Sequence, residues 1–144
     1  MKKFSLLILS VLLLSCSSDD NEDVKEGNFL EVNNGIAWRS GPDPGDCPWY
    51  AYSPEGFKTY ECKEPFNGEC NEFTNLWGVP DIEFGNIVTV LENSKNLLKL
   101  ENVDSNGEST ISTLSVSEDG NFLNATDVVT GETGKLYKAP GPCK

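Results

Sequence analysis

The 144-residue sequence predicts an all-β fold, an antiparallel meander forming a small barrel or barrel-like sandwich, with an irregular, disulfide-stapled, aromatic-rich N-terminal half. Three observations predict it. From residue 86 onward, short apolar–polar alternations recur between Asn, Asp and Gly turn residues, the pattern of strands joined by hairpins. Most of the aromatic residues fall between positions 38 and 77. Four cysteines, Cys47, Cys62, Cys70 and Cys143, lie beyond an export-type N-terminus, and an even count there points to disulfides.

In chain order, the first half predicts strands near 36–39, 50–52 and 58–63. Residues 69–77 read as one or two helical turns, because Phe73 and Trp77 stand four apart and share a helical face. The second half is more regular. NIVTVLE at 86–92 is rich in β-branched residues, and NLLKLENV at 96–103 follows it across a turn at 93–95. Asn106-Gly107 is a strong hairpin signal ahead of STISTLSVS, in which Ser112, Leu114 and Val116 share one face. Asp119-Gly120 precedes NFLNATDVVT, where Leu123, Ala125, Asp127 and Val129 alternate with Phe122, Asn124, Thr126 and Val128. Thr130-Gly131 then leads into GKLYKA. These five strands have an expected wet face that includes Lys99, Glu101, Ser115 and Asn124. The opposite face must be buried by curling or by packing on the aromatic half.

The segment CKEPFNGEC carries Pro65 and Asn67-Gly68, turn residues that draw its ends together, so the expected pairing is Cys62 with Cys70. Cys47 with Cys143 remains as the second pair. A zinc site is disfavoured because none of the gaps is a C-x2-C knuckle, and a redox pair because there is no C-x-x-C. No metal is expected.

The N-terminus reads as an address. The apolar run at 4–14 is well short of the about 20 residues that span a bilayer core. It is preceded by Lys2 and Lys3 and followed by the small Ser15, the layout of a secretory signal over 1–15. Leu13-Leu14-Ser15-Cys16 resembles the lipobox of bacterial lipoproteins, which implies a chain cut before Cys16 and lipidated on it. Ser17-Ser18-Asp19-Asp20 is similar to the acidic tract of surface-exposed lipoproteins of the Bacteroidota. That likeness implies an outer-membrane lipid anchor facing the outside, with a periplasm-facing anchor as the alternative. Residues 16–27 then form a lipidated acidic tether, and 28–144 a single β domain. The layout of that domain also resembles lipocalin-like lipoproteins of the same group. Gly35-Ile36-Ala37-Trp38 stands where that family has Gly-x-Trp, and a short Lys135-Leu136-Tyr137-Lys138 strand ends the meander.

Composition excludes several functions. The sequence contains no histidine, which removes Ser-His and Cys-His catalysis and the usual zinc enzymes. A formal charge of −12 disfavours nucleic acid and anionic headgroups, both of which need clustered Lys or Arg. The expected partners are the membrane, through the lipid, and a small molecule or a protein, with no cofactor.

Trp38, Trp49, Tyr50, Tyr52, Tyr60 and Trp77 are the candidate ligand-binding rings, for a small apolar or sugar-like molecule oriented by polar groups such as Arg39 or Tyr60. The competing expectation is that the rings are core and that the role is structural or protein-interacting. Asn102 to Gly107 matches the start of a calcium loop, but its twelfth position is Thr113 rather than Glu, and the same residues suit a hairpin turn. Asp81 with Glu83, and Glu69 with Glu72, are carboxylate pairs without any surrounding motif, so the chain is read as non-enzymatic.

Overall fold

Hairpin chemistry in the sequence becomes backbone geometry in the computed structural model, which describes residues 27–141. A short helix α1 (Phe29–Val32) precedes nine strands: β1 (Ala37–Arg39), β2 (Trp49–Tyr52), β3 (Gly56–Cys62), β4 (Cys70–Leu76), β5 (Ile87–Asn93), β6 (Leu97–Val103), β7 (Ser109–Val116), β8 (Phe122–Asp127) and β9 (Thr133–Ala139). They form one antiparallel sheet in the order β4-β3-β2-β1-β9-β8-β7-β6-β5. Gly107 and Gly120 hold φ of 84° and 70° at two of the connecting turns, a backbone conformation that side-chain-bearing residues resist.

The first strand lies beside the last, with Ala37, Trp38 and Arg39 opposite Ala139, Lys138 and Tyr137. This joins the aromatic half to the meander in one continuous sheet. The sheet stays open, as a barrel-like sandwich. Between its edge strands runs the β4–β5 connection, where the Gly78 amide donates to the Val88 carbonyl at 2.8 Å and Pro80 bridges Ile87.

Period-two alternation sorts the side chains. Leu98 and Leu100 of β6, Leu114 of β7 and Leu123 of β8 point to the inner face, where they meet Trp38, Tyr52, Phe29 and Leu30 in one buried cluster. Full burial of such a side chain contributes about 1.5–3 kcal/mol. The expected wet-face residues all occupy the other face. Lys99 pairs with Thr113, and Ser115 with Asn124, both out of phase with the leucines.

Helix α1 has no counterpart in the sequence expectations. The Asn28 side chain accepts the Glu31 amide while Glu31 accepts the Asn28 amide, a reciprocal cap. The Phe29 amide donates to the Ser94 carbonyl at 2.8 Å, and the Leu30 amide to Asn93 Oδ1 at 3.2 Å. The turn is thereby pinned to the β5–β6 hairpin, and Phe29 and Leu30 are pressed into the core. Asn-Phe-Leu-Glu was the legible signal.

Two expectations are corrected. Residues 69–77 are extended rather than helical, because β4 pairs with β3 over its whole length and gains the cross-strand ion pairs Lys58–Glu72 (2.6 Å) and Lys63–Glu69 (3.0 Å). Gly56 makes this pairing possible, since a Cβ there would collide with the Asn75 carbonyl. The disulfide is Cys47–Cys62, with Cα atoms 6.0 Å apart, and not the expected Cys62–Cys70 and Cys47–Cys143. The reason is register. Trp49 faces Tyr60, so continuing the β2–β3 ladder two residues outward sets Cys47 against Cys62. Cys70 does stand directly opposite Cys62 on the other side, as the turn predicted, and it too is disulfide-bonded. Cys143 and Cys16 lie outside the described residues.

Candidate functional site

The six candidate rings do not converge on one surface. Trp49 and Tyr50 are neighbours in β2, so they project to opposite faces, and the same parity divides the rest. Trp38 and Tyr52 are buried in the inner cluster, with Tyr50 and Trp77 packed against it. Along this face the rings form a chain: Tyr50 stacks near Tyr52 (centroids 6.4 Å), Tyr52 meets Phe57 (6.4 Å), and Phe57 meets Trp77 (5.3 Å). Trp77 is held by an indole hydrogen bond to the Ser53 carbonyl at 3.0 Å. Burial, and then the neighbouring Tyr50, push the Tyr52 phenol far above its ordinary range. Trp49 and Tyr60 belong to the second, outer cluster with Ala37 and Ala139, over which Cys47, Ala51 and Cys70 pack.

The acidic candidates are occupied by the backbone or by lysines. Asp104 Oδ1 accepts the amides of Asn106 and Glu108, each at 2.8 Å, which makes the would-be calcium loop a closed hairpin turn. Those bonds, with Glu108 first, hold its carboxyl below the usual range. Asp81 accepts the amides of Glu83, Phe84, Gly85 and Asn86, and the Phe84 bond leads in lowering its pKa. Glu69 and Glu72, the other carboxylate pair, each bind a lysine across the β3–β4 hairpin.

What the fold does assemble is a groove on the outer face, where β1, β9 and β8 run side by side. Arg39 faces Trp49 on one side and Tyr137 on the other, and Tyr137 in turn faces Phe122. Two residue pairs along, Lys135 faces Asn124, and its Nζ lies 4.3 Å from the Phe122 ring centre. Two adjoining hollows of about 440 and 430 Å³ open here, sharing Pro42 and Tyr137. Arg39, Asn121 and Lys138 line the first, and Ser40, Asn124 and Lys135 the second. Both are shallow and largely open to solvent.

Arg39 was among the polar groups expected to orient a ligand. Tyr137, Phe122, Lys135 and Asn121 were not expected to meet a ligand, and Asn124 was expected only on the wet face. Their signal was the alternation itself, with Lys135-x-Tyr137 and Phe122-x-Asn124 out of phase with the core residues Leu136 and Leu123. It could not be read without knowing that β9 closes against β1.

Comparison of the chain with protein-family models, with curated proteins and with solved structures finds no match.

Proposed function

We propose that this chain is a non-enzymatic lipoprotein of the cell envelope, anchored through Cys16, whose β domain binds a small sugar-like ligand in the groove between β1, β9 and β8. The observation that carries the ligand-binding part is the groove: two adjoining hollows around Tyr137 with polar side chains along both rims. The anchoring part rests on the lipobox-like Leu13-Leu14-Ser15-Cys16 and the acidic stretch after it. An outer-membrane, surface-facing position follows from the same resemblance.

Of the rings first expected to hold the ligand, Trp38, Tyr50, Tyr52 and Trp77 lie in or against the inner core cluster, and Trp49 and Tyr60 in the outer one. The reading therefore moves the ligand from the aromatic half to the seam between the two halves. It requires no general base, which suits a groove whose side chains are cationic, amide or phenolic.

Intact mass of the chain purified from its host, recorded under native conditions and again after denaturation, tests the ligand. An adduct seen only in the native spectrum, and lost in Tyr137→Ala, supports the reading, whereas a bare native mass opposes it. Cys16→Ala tests the anchor, which predicts loss of the acylated N-terminal peptide and release from the membrane fraction.

A second reading, a protein-docking role, is favoured by one feature. The β4–β5 loop exposes Ile82 fully and Phe84 to 62 %, on a turn fastened by the four amide bonds to Asp81.

A further inference from the structure

We infer that the groove selects a short saccharide carrying a carboxylate, with Arg39 as the group that receives the charge. This rests on the groove being the ligand site.

Arg39 is the sequence's single arginine, placed mid-sheet between an indole and a phenol. Its guanidinium forms no ion pair or hydrogen bond among the described residues, and its Nε is buried without an acceptor. The indole Nε1 of its cross-strand neighbour Trp49 is likewise buried and unmatched. Buried donors of this kind nearly always meet an acceptor, and of these two it is Arg39 that lines the first hollow, which marks it as a place where an acceptor is wanted. A carboxylate fits the planar fork of a guanidinium and accepts two parallel bonds from it.

The surroundings extend the match. Lys135 and Lys138 line the two hollows and, like Arg39, make no ion pair among the described residues, whereas Lys58 and Lys63 are both paired to glutamates. Arg39, Lys138 and Lys135 thus bring three positive charges to the groove of a chain of net charge −12, with the carboxylates of Asp46 beside Gly41 and of Asp119 on Asn121 at its margin. The same net charge limits the ligand's size. A long polyanion would be repelled by the rest of the surface, while a short molecule with one or two carboxylates meets mainly the local cations, because repulsion fades beyond the about 8 Å screening length at physiological salt. Asn124 supplies an amide for sugar hydroxyls, and Tyr137, which lines both hollows, supplies ring surface for the apolar face of a pyranose.

The test is titration calorimetry of the full chain with digalacturonic acid and with its dimethyl ester, the same sugar without charge. Binding of the acid at least about tenfold tighter than the ester is expected, with Arg39→Gln abolishing the difference. Lys135→Gln, at an exposed rim position, is expected to weaken the acid about two- to fivefold while leaving the thermal midpoint unchanged. It keeps the test decisive if Arg39→Gln fails to fold. Equal binding of acid and ester overturns the charge selection and leaves the groove reading standing. Failure to bind the acid overturns the inference, while the native-mass experiment above decides the broader reading independently.

Discussion

Leu97 and Leu98 are adjacent in β6 and chemically identical, yet the register assigns them opposite fates. Leu98 is fully buried against Leu114 on the inner face, whereas Leu97 is half-buried on the outer face opposite Ser115. Truncating Leu98 to Ala removes three carbons worth about 0.8 kcal/mol each in transfer, and the unfilled cavity raises the cost to about 3 kcal/mol. Leu97→Ala loses only part of the transfer contribution and creates no sealed cavity, so about 1 kcal/mol or less is expected. Urea unfolding followed by tryptophan fluorescence resolves the two. With a slope of about 1.5 kcal/mol per molar, the Leu98 midpoint should fall by about 2 M and the Leu97 midpoint by well under about 1 M. Equal losses, or a larger loss at Leu97, would mean that β6 is displaced by one residue, a slip that would turn the whole leucine set outward.

Breaking the Cys47–Cys62 bond by paired serine substitutions reopens a loop of sequence separation 15. An expected loss of about 3 kcal/mol follows from the chain-entropy account, and peptide mapping without reductant should recover the two cysteines linked. Asp81→Ala removes the acceptor of four loop amides, so residues 82–85 should become the first site of limited proteolysis, with little change in the urea midpoint. Asp119 is held at a pKa of about 2 by the Ser117 hydroxyl and by Asn121, and Asp81, Asp104 and Asp127 are lowered by backbone amides. Folded-state values below the unfolded ones contribute stability that is full above about pH 4 and is lost as pH falls toward about pH 2. Thermal midpoints should therefore be flat at neutral pH and drop across that acid window, and Asp119→Asn should make the drop smaller.

The meander was legible because three of its turns carry Asn-Gly, Asp-Gly or Thr-Gly and because Leu98, Leu100, Leu114 and Leu123 alternate with polar neighbours onto one face. The first half was less so. At 69–77 the four-residue spacing of Phe73 and Trp77 imitated a helix, and only the length of β3 beside it, with room made by Gly56, decides for a strand. The cysteine pairing failed for a related reason. A short loop brought Cys70 to Cys62 as expected, but a strand register invisible in local sequence brought Cys47 to Cys62 as well. The aromatic cluster divided between two faces because clustering in sequence does not survive alternation in strands. Trp49 and Tyr50 are consecutive, yet they serve different layers. The groove, conversely, joins residues nearly 100 positions apart, and its one early hint was a lone arginine beside a tryptophan.

The claim that the ligand surface is the outer seam and not the aromatic core is tested most directly by the three indole N–H resonances, read in a nitrogen-edited spectrum while digalacturonic acid is added to the labelled chain. The account predicts that Trp49 and the Arg39 Nε–H shift together with the amides around Tyr137, while Trp38 and Trp77 stay fixed. Shifts centred on Trp77 and Tyr50, with Arg39 unmoved, would place the ligand on the ring-lined inner face and contradict it.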